Sequence, residues 1–204
     1  MRKIALGNFY PPSPSDISAL LRNQDIASVE DLRAFALETL CDLEQQIRQS
    51  ETDTLETFYS ANKHVNENRA RNRLVDLLKG QMKALNLHVE IERHMKDSNR
   101  CDMTVASLID GQRRLLMIEV KGQWHRELFT AASTQLDHRY ASHPEAEKQG
   151  IYLVLWFGPN VLIAGKRKSP IKSSDELQAE IINAMPQELR GRIDVFVMDL
   201  SRST

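Results

Sequence analysis

Three side chains in the middle of the chain could do chemistry together: Asp102, Glu119 and Lys121. Such residues are common, so their spacing decides. Asp102 and Glu119 are separated by 16 residues, and Lys121 follows Glu119 by two. Between them, flanked by Ile109 and Gln112, lies Asp110-Gly111, the dipeptide that best tolerates the positive φ angles of a type I′ hairpin turn. With the turn closed there, facing positions sum to 221 and Asp102 comes opposite Glu119. Facing residues hold their Cβ atoms about 5 Å apart. Lys121 projects from the same face as Glu119, because side chains alternate along a strand. Two carboxylates so placed repel one another unless something compensates. A divalent cation would do so, and Asp102 and Glu119 are hard oxygen donors of the kind Mg²⁺ or Mn²⁺ takes.

The elements that must position these groups are readable around them. Leu115-Leu116-Met117-Ile118 makes the second hairpin strand apolar. Both hairpin faces carry apolar residues, Met103, Val105, Leu116, Ile118 and Val120 on one, Ala106, Leu108, Leu115 and Met117 on the other. Such a sheet is expected to be covered by helices on both sides. Upstream, residues 61–85 read as a helix with a stripe of Val65, Leu74, Leu77, Leu78, Met82 and Leu85, and Leu87–Glu92 alternates as a strand. Downstream, Leu128, Ala132 and Leu136 share one face of a helix ending near Tyr140. Ile151–Phe157 is a continuous apolar run, the pattern of a central strand buried on both faces. A helix from Ser174 to about Met185 and a strand at Ile193–Met198 close the chain, the latter expected parallel to the 151–157 strand.

Residues 1–60 read as a helical extension. A proline-rich opening leads to a short helix around Ile17–Arg22, and Ser28-Val29-Glu30-Asp31 is a capping-box variant. The helix it opens carries Leu32, Phe35, Ala36, Leu40 and Leu43 on one stripe and runs to about Gln49. Charge is uneven along the chain. Residues 1–60 hold 5 basic and 10 acidic side chains, residues 61–100 hold 9 and 5, and the total is −1. The basic middle is either a solvated helix face or a surface for phosphates. Cys41 and Cys101 show neither disulfide-scaffold nor zinc spacing, which fits a reducing cytoplasm. No signal-peptide pattern and no apolar run near 18 residues is present, so neither export nor membrane spanning is expected.

The Asp102 … Glu119-Val120-Lys121 pattern resembles the core of the PD-(D/E)XK nuclease superfamily, in which an Asp and a Glu-x-Lys on adjacent strands hold magnesium. The longer string from Glu119-Val120-Lys121-Gly122 through Trp124, Arg126-Glu127-Leu128, Gln135-Leu136 and Arg139-Tyr140 is similar to nuclease-like domains at the ends of large bacterial multidomain proteins. That resemblance covers about residues 64–157. It implies an α/β, restriction-endonuclease-like mixed sheet flanked by helices, in the order αβββαβ plus a C-terminal αβ, over residues 61–204. It also implies the Val120 carbonyl and Glu67, at the start of the first core helix, as further metal ligands beside Asp102 and Glu119, and Gln135 as the residue that positions the attacking water. Tyr140 follows Gln135 by five residues, where the best-known version of the motif has four. With Arg100, just before the Asp102 strand, and Arg126, it is a candidate substrate contact.

The activity implied is Mg²⁺- or Mn²⁺-dependent hydrolysis of phosphodiesters in a nucleic acid, DNA ahead of RNA, in a defence or surveillance setting. The active form would be a homodimer or part of a larger multidomain protein. Two rival readings stand beside it. One is a nuclease-like module that binds nucleic acid or assembles without turnover. The other is a structural domain whose Glu119 and Lys121 form a surface ion pair and whose acidic helices dock a partner.

Overall fold

A computed structural model describes residues 26–83, 87–94, 100–109, 111–141, 143–165 and 170–202, with the backbone alone for 92–94, 100 and 138–141. The short helix expected near Ile17–Arg22, and the basic stretch 166–168, lie outside the described residues.

Helix α1 spans Val29–Gln49 and starts where its cap residues dictate. Ser28 Oγ accepts from the Asp31 amide at 3.0 Å and donates to Asp31 Oδ2 at 2.8 Å, so residues three apart close the first turn. After a single 3₁₀ turn at Leu55–Phe58 come two two-residue strands, β1 (Tyr59–Ser60) and β2 (Lys63–His64), paired antiparallel. Ala61 and Asn62 join them with φ of 48° and 61°. The helix expected from residue 61 therefore begins later, as α2 at Glu67–Lys83. Asn62 is among the residues that tolerate positive φ, and Asn66 Oδ1 supplies the cap by accepting from Arg69 N at 2.9 Å.

Five strands follow in one sheet, in spatial order β3 (His88–His94), β4 (Arg100–Ile109), β5 (Gln112–Gly122), β6 (Gly150–Trp156) and β7 (Ile193–Asp199). β3, β4 and β5 pair antiparallel, while β5, β6 and β7 pair parallel. The β4–β5 register, from Ile109↔Gln112 to Met103↔Ile118, is the one the Asp-Gly turn dictates. Gly111 has φ +72° as such a turn requires; Asp110 lies outside the described residues. Between β5 and β6 a series of turns leads into a π-helical segment, Ala132–Ala141, in place of the regular helix expected there. Helix α3 (Ser174–Ala184) starts at the expected residue, is capped by Ser173 and connects β6 to β7.

The result is a mixed α/β fold with the sheet between helical layers. On one face α1 and α2 bury Leu32, Leu40, Leu74 and Leu78 against Val105, Leu116, Ile118 and Leu153. On the other, Leu136 from the π-helical segment and Leu177 and Ile181 from α3 cover Met117, Tyr152, Val154 and Trp156. β6 is buried along its whole length, as its unbroken apolar run implies. Leu108 departs from expectation. It is 76% exposed, because it sits next to the hairpin tip.

α1 contributes its stripe to the same core as the sheet, and buried Arg33 fastens it there. The guanidinium donates to Gln149 Oε1 at 2.5 Å and Gly191 O at 2.6 Å, and its Nε pairs with Asp194 Oδ2 at 2.9 Å.

Candidate active site

The β4–β5 ladder stops one step short of Asp102 and Glu119. Asp102 instead takes a backbone bond with its side chain, Oδ2 accepting from Val120 N at 3.0 Å. Lys121 Nζ stands among three carboxylates: 2.6 Å from Glu119 Oε1, 3.6 Å from Asp102 Oδ2 and 4.0 Å from Glu67 Oε1. Glu67 comes from the first turn of α2, where the helix dipole favours a negative charge. Its Oε2 accepts from Gly122 N at 2.7 Å, tying the helix start to the end of β5. Gly122 is itself required by a close approach: a Cβ there would lie 2.5 Å from the Trp124 ring. Trp124 in turn stacks on His64 at 3.9 Å between centroids.

A residue missed by sequence reasoning completes the cluster. Arg71, one helical turn after Glu67 and 4% exposed, donates from Nη1 to Asp102 Oδ1 at 2.9 Å. The available signal was Glu67 and Arg71 at i and i+4, which places both on one helix face. A second missed residue is Thr104, fully buried two residues after Asp102 on β4, whose Oγ1 has no hydrogen-bond partner among the described residues.

The electrostatics are unusual at Glu119. It is 2% exposed, and its Oε2 also lacks a partner among the described residues. Burial first and the Asp102 charge second push its carboxyl up to about 7, against the pull of Lys121. Burial pulls Lys121 down, but Glu119, Asp102 and Glu67 together hold it above the ordinary lysine range. Lys121 is thus an ammonium at neutral pH, and Glu119 is a carboxyl near its midpoint.

These donors fit a hard divalent cation in kind: Asp102, Glu119, the Val120 carbonyl and, from α2, Glu67 are all oxygens, and one buried carboxylate oxygen is orphaned. Among the described residues no three acidic, thiol or imidazole side chains form a ready metal-holding group. Lys121 and Arg71 stand on the carboxylates instead.

The other expected site residues are placed as follows. Gln135 donates its amide to Glu127 Oε2. Arg126 lies on the turn after β5 with its side chain 88% exposed, 3.9 Å from Glu127. Arg100 opens β4 and Tyr140 lies in the π-helical segment, but their side chains are outside the described residues. Two buried groups brace this end of the sheet. Tyr152, the β6 neighbour of Glu119, donates to Leu128 O at 2.8 Å. Gln123 bonds the backbone of Phe157, Gly158 and Val161.

No curated protein and no solved structure matches the chain. A family model described as "Domain of unknown function (DUF8371)" matches residues 32–159, which is more than half of the chain and runs from within α1 to just past β6. Glu67, Arg71, Asp102, Glu119, Lys121 and Gln135 all lie within the matched span. The chain therefore belongs to this DUF8371 family, whose function is unknown.

Proposed function

We propose that the chain is a metal-dependent nuclease with a restriction-endonuclease-like core, hydrolysing phosphodiester bonds of nucleic acid, DNA first among them. The observation that carries the reading is the convergence of Glu67, Asp102 and Glu119 on Lys121 where the β4–β5 ladder ends, with one buried Glu119 oxygen unpaired. Asp102, Glu119, the Val120 carbonyl and Glu67 would hold Mg²⁺ or Mn²⁺. Bound there, the cation would lower the pKa of a water and neutralise charge gathering on the phosphate.

The chain's own residues do the rest. Lys121, kept charged by its three carboxylate neighbours, orients the attacking water and donates to a phosphate oxygen. Its ammonium form makes it a donor before a base. Gln135, which donates to Glu127, would help position that water on leaving this bond. The second reading, binding or assembly without turnover, is favoured by the two cations that already sit on the carboxylates.

The deciding experiment is incubation with plasmid, single-stranded DNA and RNA in Mg²⁺, Mn²⁺ or EDTA, beside the Lys121→Ala variant and with binding followed by gel shift. Cation-dependent products are expected, with the rate falling about 10²–10⁴-fold in Lys121→Ala, the range for loss of a group that serves proton transfer or charge in the transition state. Binding without products in any condition would select the second reading.

A further inference from the structure

We propose that Arg71 is a charge-exchange residue: it holds Asp102 in the cation-free site and passes to a substrate phosphate when a divalent cation takes that carboxylate, so that cation and nucleic acid bind cooperatively. The inference rests on the proposed function and adds to it a residue and a coupling that the nuclease motif does not contain.

Both oxygens of Asp102 are already engaged. Oδ2 receives Val120 N and lies near Lys121, while Oδ1 receives Arg71 Nη1 at 2.9 Å. Lys121 is committed more closely to Glu119, at 2.6 Å, and the Val120 bond belongs to the backbone of β5. The partner that can leave Asp102 with least disturbance is therefore the Arg71 side chain. Its remaining nitrogens reach Asn72 Oδ1 on its own helix, at 3.2 and 3.3 Å, so it has an anchor from which to swing.

Charge balance gives the direction. With Glu119 ionised, as a bound cation would hold it, Glu67, Asp102 and Glu119 oppose Lys121 and Arg71, three negative against two positive. A divalent cation reverses the sign of that balance and leaves the guanidinium, buried, beside like charges. A phosphodiester carries one negative charge and restores neutrality. Arginine suits the transfer better than lysine, since its planar fork takes two phosphate oxygens and it stays protonated.

The test is calorimetric titration of Mn²⁺ into the full chain, wild type, Arg71→Gln and Arg71→Lys, with and without a phosphorothioate DNA oligonucleotide that resists hydrolysis. Arg71→Gln should bind Mn²⁺ alone about tenfold tighter than wild type, the change expected when one charge-assisted bond no longer competes for the ligand oxygen. The oligonucleotide should tighten Mn²⁺ binding to wild type by about the same factor, by the reciprocity of linked equilibria, and leave Arg71→Gln unchanged. Arg71→Lys, which keeps the charge and loses the fork, should bind Mn²⁺ like wild type and show weaker coupling; it decides the matter if Arg71→Gln fails to fold. Mn²⁺ binding that is equal or weaker in Arg71→Gln, or equal coupling in every variant, overturns the exchange and leaves Arg71 as a residue that positions Asp102. If wild type cleaves with cation but Arg71→Gln binds Mn²⁺ no tighter, the exchange alone falls. If wild type binds no Mn²⁺ in either condition, the nuclease reading falls with it.

Discussion

Glu119 is a carboxyl whose nearest neighbour is an ammonium and whose pKa is nevertheless raised, because removal from water and two other carboxylates outweigh the pairing. The consequence for folding has a definite sign. Its folded value of about 7 lies above the ordinary glutamate value of 4.5, so the folded chain holds a proton that the unfolded chain releases. The stability this contributes is fully present below the unfolded value and is lost as pH rises through about 7. In the cation-free protein, urea unfolding between about pH 5 and pH 8 should show wild type losing stability relative to Glu119→Gln, by an amount on the order of a few kcal/mol. Parallel curves for the two proteins would mean that Glu119 ionises normally. The raised carboxyl was not legible in the sequence, and the i, i+4 spacing of Glu67 and Arg71 put both on one helix face without showing that this face meets Asp102. Both depend on which helix end closes over the strands, and no local spacing encodes that.

At the scale of elements, the legible parts were those specified by local chemistry. The Asp-Gly turn set the β4–β5 register, because a slip of one residue would turn every side chain to the wrong face. Ser28 and Asp31 set the start of α1, and Ser50 follows its end. The β1–β2 hairpin escaped notice because strands of two residues carry no periodicity and its turn is Ala-Asn, not a glycine pair. The π-helical segment shares its apolar spacing of four with an α-helix, so the pattern could not separate them. What seats α1 is also tertiary. Arg33 is buried with an ion pair and two hydrogen bonds across more than a hundred residues of sequence, whereas Arg48, paired with Asp199 Oδ2 at 2.7 Å, is half-exposed. Arg33→Met should cost about 2–3 kcal/mol in denaturant unfolding, and Arg48→Ala less than about 1 kcal/mol. Equal losses would show that α1 is held by its apolar stripe alone.

On the scale of the whole molecule, a mixed five-stranded sheet between helical layers brings the start of α2 and the ends of β4 and β5 together, and the acidic cluster forms only there. The order of helices and strands followed from apolar patterning, and the sheet order agreed with it because the hairpin and the parallel crossovers leave few alternatives. Among the described residues no helix is long and apolar enough to cross a membrane. The central claim, that this cluster is the catalytic centre of a cation-dependent nuclease, is tested most directly by cleavage of supercoiled plasmid by wild type and Asp102→Asn, in Mg²⁺ and in EDTA, with folding of both checked by thermal unfolding. The account predicts nicked and linear products from wild type in Mg²⁺ alone, and a loss of at least about 10²-fold in Asp102→Asn, whose amide is a neutral and poorer cation ligand. Products that persist in EDTA, or an Asp102→Asn protein as active as wild type, would contradict it.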